Sequence, residues 1–243
     1  ETVDLKKKNT AKIFWLIDPI DGTREYIDGK DEYTLNAALV IDTVPVLGLV
    51  GVPKKKRLFY TYAPGESFLI ENGKTEKISC RKKQPKGKIV AVSSAIKPSD
   101  IILNKLKEYN VNLIVKIASS YKFCVIATGE YDIYAARERA NEWDYAAGHA
   151  VAQNAGAIIK TLEEKPFLYG KEDYRNPSLL LKRSENFRFI IVGLITCILV
   201  YYFKDLSLAL GKTGRIPIIL SIWSPIIALS LFTFIGILQI NEK

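Results

Sequence analysis

Trp15-Leu16-Ile17-Asp18-Pro19-Ile20-Asp21-Gly22-Thr23 is the stretch on which the reading of this 243-residue chain turns. The apolar run Ile13 to Ile17 reads as a buried strand that stops at Pro19. Just past its end stand two carboxylates three residues apart, then a glycine and a hydroxyl. Aspartates where a strand leaves into a tight turn can converge on a hard cation such as Mg²⁺, which prefers oxygen ligands. Gly22 lets backbone approach a ligand, and Thr23 places a hydroxyl at the start of a short helix, where phosphate can be held. An Asp-Gly pair alone is ordinary turn chemistry, so the motif needs a second half.

Trp143-Asp144-Tyr145-Ala146-Ala147-Gly148-His149-Ala150 supplies it. This block reads as a helix with Asp144 in its first turn, small residues suited to close packing, and an end near Gly156. A third carboxylate presented at a helix start would complete an acidic cluster. Together the two blocks resemble the D-P-(I/L)-D-G-T and W-D-x-A-A-G motifs of the inositol monophosphatase superfamily of Mg²⁺-dependent phosphatases. The continuation Arg24-Glu25-Tyr26-Ile27, the segment Glu32 to Leu39 and the segment Ala118 to Cys124 look like the CysQ-type 3′(2′),5′-bisphosphate nucleotidases within it. The likeness runs from about residue 1 to residue 181 and closes on Asn176-Pro177-Ser178.

That resemblance implies a layered α/β sandwich and a site, residue by residue. Asp18, Asp21, the Ile20 carbonyl and Asp144 would bind Mg²⁺. Ile20, Asp21, Gly22, Thr23 and Asp144 would meet the substrate, with Thr23 and Asp21 serving the attacking water. Ser119, Ser120 and Lys122 would line the nucleotide side. The implied reaction removes the 3′-phosphate of adenosine 3′,5′-bisphosphate to give AMP, by in-line attack of an activated water. Paired metals stabilise both the attacking and the leaving oxygen of such a displacement. The same resemblance places Glu1 at the second glutamate of the family's acidic pair, so the chain is expected to lack the first glutamate and to have impaired activity. Inositol phosphate is the alternative substrate.

Other candidates carry less. His149 is the only histidine, so a Ser/His/Asp triad would have to use it; inside an alanine-rich helix a packing role is expected. Cys80, Cys124 and Cys197 are widely spaced, which suggests neither a zinc site nor a disulfide framework. The runs Lys6 to Lys8, Lys54 to Arg57 and Arg81 to Lys83 bring the net charge to +9. Without interleaved aromatics they read as solvated loops rather than a nucleic-acid groove. Their field still favours an anionic substrate.

Between the motifs, strands are expected at 36–41, 45–52, 58–62, 67–70, 89–92, 112–117 and 131–135, and helices at 98–109 and 119–127. Antiparallel strands followed by alternating strands and helices suit one layered domain.

The tail differs. Residues 189–203 and 216–240 are free of charge, and a spanning helix needs about 20 apolar residues. The expected organisation is therefore a partial nucleotidase domain over 1–185 and a membrane segment over 186–243 with two helices. Residues 205–225 resemble the C-terminal helices of LptF/LptG-type permeases, the alternative function. Two spans return the chain to its starting side. With no signal peptide in the polar residues 1–12, that side is expected to be the cytoplasm, with the catalytic part tethered to the inner membrane.

Overall fold

The computed structural model describes residues 12–80, 88–184, 188–215, 217, 219–220, 223 and 230. The chain divides into two units, 1–185 and 186–243.

The first unit is built on two sheets. Six antiparallel strands follow one another in a meander: β1 (Ile13–Asp21), β2 (Thr34–Ile41), β3 (Val44–Val52), β4 (Arg57–Ala63), β5 (Glu66–Glu71) and β6 (Lys74–Lys77). Tight hairpins make this order possible. Asp42 and Thr43 join β2 to β3 with φ of 46° and 71°, and Asn72-Gly73 joins β5 to β6. Two successive residues with positive φ form the turn whose twist matches that of paired strands.

The second sheet has the order β10-β11-β9-β7-β8. Its members are β7 (Ile89–Ser93), β8 (Val111–Lys116), β9 (Ile133–Ala136), β10 (Ile158–Lys160) and β11 (Leu179–Lys182). β7 pairs in parallel with β8 and β9, while β11 runs antiparallel to β9 and β10. The parallel pairs require crossovers, and α2 (Asp100–Lys107) and α3 (Tyr121–Ala127) provide them.

Helix α4 (Glu142–Asn154) lies across β2 and β3 and packs beside α3. Its small residues allow this. A Cβ on Gly148 would lie 2.7 Å from the Phe123 ring, and one on Gly48 would lie 2.4 Å from the Ala147 carbonyl oxygen. Phe59, Phe123, Leu69, Val151 and Leu179 fill the main core. α2 covers the far side of the second sheet with Ile102 and Leu106 against Ala91 and Leu180. The result is the layered sandwich of sheets and helices that the sequence implies.

Several expectations need correction. β1 does not stop at Pro19: it continues to Asp21 through a bulge between Asp18 and Asp21. Proline is tolerated because β1 is an edge strand, where a missing N–H breaks no ladder bond. Nor is β1 buried on both sides; Ile13, Trp15 and Ile17 are more than half exposed. Arg57 is no solvated loop residue: it lies on β4, paired to Glu130 at 2.6 Å and to Glu71 at 3.2 Å. The basic runs 6–8 and 81–83, and Glu1, lie outside the described residues.

In the second unit α5 (Arg188–Lys212) runs past the expected helix 189–203, by one residue at its start and nine at its end, through Lys204 and Asp205. Among the described residues no helix is long and apolar enough to cross a membrane. The two spanning helices and the tether are therefore not supported. Most of the expected helix 216–240 lies outside the described residues.

Candidate active site

The site forms where β1 ends. The bulge swings Asp18 and Asp21 to one side of the strand, and Asp18 holds the turn by accepting the Ile20 N–H at 3.0 Å. Gly22 follows in the left-handed region, with φ of 84°, its Cα hydrogen close to Ser119. A Cβ there would meet the Ser119 Cβ at 3.3 Å and strain the backbone as well. α1 (Thr23–Ile27) begins at once, and the Thr23 hydroxyl donates back to the Ile20 carbonyl at 3.2 Å.

Asp144 arrives from α4. At the third helical position its carboxylate accepts the Asn141 backbone N–H at 2.8 Å, a capping contact that fixes where the side chain points. Carboxylate oxygens of Asp18, Asp21 and Asp144 all lie within 4.8 Å of one another. Two of these side chains precede the third by more than a hundred residues, yet they form one cluster.

Three carboxylates this close cannot all ionise comfortably. Burial pushes Asp144 up to about 7, with the charges of Asp21 and Asp18 adding to the effect. Burial also raises Asp21, opposed by the Lys122 ammonium and by the Ser120 and Asn36 donors. A divalent cation would relieve the repulsion, and an all-oxygen donor set suits Mg²⁺. The residues therefore fit a hard metal ion.

The remaining expected residues are placed less simply. Thr23 is exposed at the rim. Ser119, itself at φ 50°, donates its hydroxyl to the Glu32 carbonyl at 2.7 Å. Ser120 is 1% exposed, with its hydroxyl turned into the protein and its N–H on Asp21. Lys122 is buried, its ammonium donating to the Ser119 carbonyl and lying 5.3 Å from the Tyr134 ring centre. Ser120 thus stands behind Asp21 rather than beside open space.

Residues not singled out from sequence support the site. Thr34 and Asn36 reach Asp21 at 3.4 Å each. Their signal was present: on β2 they share the alternating inward register of Ala38 and Val40, and a polar pair on a core-facing register needs a partner. Glu142, fully buried, accepts the Gly170 and Lys171 N–H groups and the Lys171 ammonium, tying the entry of α4 to the following loop. His149 is a packing residue. Its ring nitrogens contact the Tyr169 hydroxyl at 3.0 Å and the Gln153 amide oxygen at 2.9 Å.

This fold and this cluster define a class. The profile of the inositol monophosphatase family matches residues 1–190, and the chain belongs to that family. Within it, the chain is similar to the 3′(2′),5′-bisphosphate nucleotidase CysQ of Escherichia coli K12, 36% identical over 165 residues. That match covers 68% of this chain, which spans 65% of the length of the relative. The protein of the same description from Buchnera aphidicola is 34% identical over 61% of this chain and 55% of its own. The crystal structure of CysQ from Bacteroides thetaiotaomicron superposes with a TM-score of 0.67 at 29% identity, over 76% of this chain and 75% of that one. An inositol monophosphatase from Zymomonas mobilis shares the fold, with a TM-score of 0.60 at 21% identity over 73% and 68%. None of these relatives supports reading the tail as an LptF/LptG-type permease.

Proposed function

We infer that this chain is the Mg²⁺-dependent phosphomonoesterase part of a 3′(2′),5′-bisphosphate nucleotidase, and that it removes the 3′-phosphate of adenosine 3′,5′-bisphosphate. One observation carries the inference: Asp18, Asp21 and Asp144 come within 4.8 Å from separate segments, in a chain 36% identical to CysQ nucleotidases.

The metal ligands would be Asp18, Asp21, Asp144 and the Ile20 carbonyl. Bound there, Mg²⁺ supplies charge that polarises the phosphoryl oxygens and makes water a better nucleophile. Thr23 orients that water. Its hydrogen is committed to the Ile20 carbonyl, so its oxygen is left to accept a hydrogen from the water and aim the lone pair at phosphorus. Gly22, lacking a Cβ, lets the phosphate approach the backbone. The new O–P bond forms as the ester O–P bond breaks in line. The attacking water releases one proton to solvent and the leaving 3′-oxygen takes one up, so the protons balance. Ser119 and Lys122 border the same turn and are assigned to the nucleotide side. The two described cysteines, Cys80 and Cys124, are buried free thiols, which suits a reducing compartment such as the cytoplasm.

Phosphate release from adenosine 3′,5′-bisphosphate and from inositol 1-phosphate, each with and without Mg²⁺, tests this reading. Mg²⁺-dependent release from the nucleotide, lost in Asp21→Asn, is expected. Faster release from inositol phosphate would move the chain to the other branch of its family.

A further inference from the structure

The polar groups behind Asp21 form a chain with a direction. Ser120 has one hydroxyl hydrogen and two oxygen neighbours: the Asn36 amide oxygen at 2.7 Å and the Thr34 hydroxyl at 2.9 Å. The Asn36 oxygen can only accept, so the Ser120 hydrogen goes there. Thr34 must then donate to Ser120 for the 2.9 Å contact to hold a hydrogen. With its oxygen so engaged, Asn36 turns its NH₂ group towards Asp21. The Ser120 backbone N–H reaches the same carboxylate oxygen, Oδ2. Thr34, Asn36 and Ser120 are all at most 3% exposed, so water does not compete for these contacts.

Thr34, its one hydrogen given to Ser120, lies 3.4 Å from Oδ2 without donating to it. The Asn36 NH₂ and the Ser120 N–H are the donors that converge on Oδ2, and neither of these bonds reaches Oδ1. We propose that Thr34, Asn36 and Ser120 are positioning residues that lock the Asp21 carboxylate with Oδ1 turned to the cation, and so set the affinity of the site for Mg²⁺. Groups that orient a metal-ligating carboxylate typically carry 10–100-fold in metal affinity. The proposal rests on the reading of the aspartate cluster as a metal site, and goes beyond it by assigning the groups that prepare one ligand.

Calorimetric titration of the whole chain with MgCl₂, beside a thermal melt of each variant, tests it without relying on activity. Ser120→Ala and Thr34→Val should each weaken Mg²⁺ binding by about 10-fold, while Thr34→Ser, which keeps the hydroxyl, should bind within about threefold of the unaltered chain. Asn36→Asp should be the most damaging, because it sets a second anion where a donor is required. Variants that melt lower but bind Mg²⁺ normally would overturn the network and leave the metal site standing. An unaltered chain that binds no Mg²⁺ would overturn the site and this inference together.

Discussion

The two faces of the six-stranded sheet are nearly alike in composition and unlike in environment. On the inner face Leu16, Ala38, Val40, Val50 and Phe59 are almost fully buried beneath α4. On the outer face the paired residues Trp15 and Leu39, Ile17 and Ala37, and Leu49 and Tyr60 make a surface just as apolar. There, however, Trp15 is 55% exposed and Tyr62 61%. Alternation normally separates a core face from a wet one. Here it does not, because both faces carry hydrophobic side chains; what distinguishes them is room. On the inner face Gly48 lets the α4 backbone come close, while the outer face carries the rings of Trp15, Tyr60 and Tyr62. Close backbone approach at Gly48, rather than apolar character, marks the face that the helix covers.

The strongest way to break this comparison is to fill the inner contact. Gly48→Ala puts a Cβ 2.4 Å from the Ala147 carbonyl oxygen and 2.8 Å from the Ala150 Cβ. Neither neighbour is a flexible side-chain end, so the helix must shift. Overpacking of this kind costs about 3 kcal/mol, and because α4 carries Asp144 the shift should also spoil the acidic cluster. Urea unfolding read against Mg²⁺ titration should show both losses. A Gly48→Ala chain of unchanged stability would mean that α4 does not sit on β3 as described.

Acid sharpens the same contrast from the helix side. His149, on α4, packs against Phe167 and Tyr169 and hydrogen-bonds Gln153. Burial lowers it from 6.5 to about 4. Between those values the unfolded chain takes up a proton that the folded chain refuses, so stability is complete above pH 6.5 and drains away as pH falls towards 4. The loss is on the order of 2–3 kcal/mol. Asp144, raised to about 7, shifts stability the other way over the same range. The His149 share is therefore read as the difference between the unaltered chain and His149→Gln when each is denatured at pH 7.5 and at pH 5.0. An unchanged pH dependence in the variant would assign the acid lability to other groups.

How far the fold was legible follows from the same contrast. The β2–β3 turn, the two aspartate motifs and the longer elements could be read because each is local: a turn residue, a strand exit, a helix start. The short strands β6, β10 and β11 carry too little pattern of their own and were not expected. The burial of β1 could not. Its apolar run satisfies a buried strand equally well on one face or two, and the decision lies in what packs against it. Pro19 misled for a related reason, since a proline ends a central strand but is harmless on an edge, and edge position is a property of the sheet. At the site, the three carboxylates were legible from motif and spacing. The role of Ser120 was not, because facing a nucleotide and facing Asp21 differ by a rotation set by contacts with Thr34, Asn36 and Asp21, which lie far off in sequence. Arg57 looked like the last member of a basic loop; it is held inside by Glu71 and Glu130, acids that lie on β5 and just after α3.

A smaller effect is expected where a polar group links the inner face to α4. Ser67, fully buried on β5, donates to the Val151 carbonyl at 2.8 Å. Ser67→Ala leaves one carbonyl without that donor and should cost about 1 kcal/mol, visible as a modest shift of the urea midpoint with no change in slope. A shift as large as that of Gly48→Ala would mean that hydrogen bonding, not close approach, holds the helix.

The smallest effect should come from the outer face, and it is the most telling. Taking about 4.8 Å between strands and about 3.4 Å per residue, five strands present on the order of 500 Å² of apolar surface, near the top of what a lone soluble domain exposes. Trp15→Lys and Ile17→Lys replace side chains that already meet water, so each should change stability by no more than about 0.5 kcal/mol. The same double change should sharply reduce binding of an apolar dye such as ANS to the folded chain, since dye follows accessible apolar area. On the inner face a lysine at Leu16 would instead bury an unpaired charge and unfold the protein. If Trp15→Lys proved as destabilising as Leu16→Lys, the outer face would have to be covered in solution, and the asymmetry between the two faces would disappear.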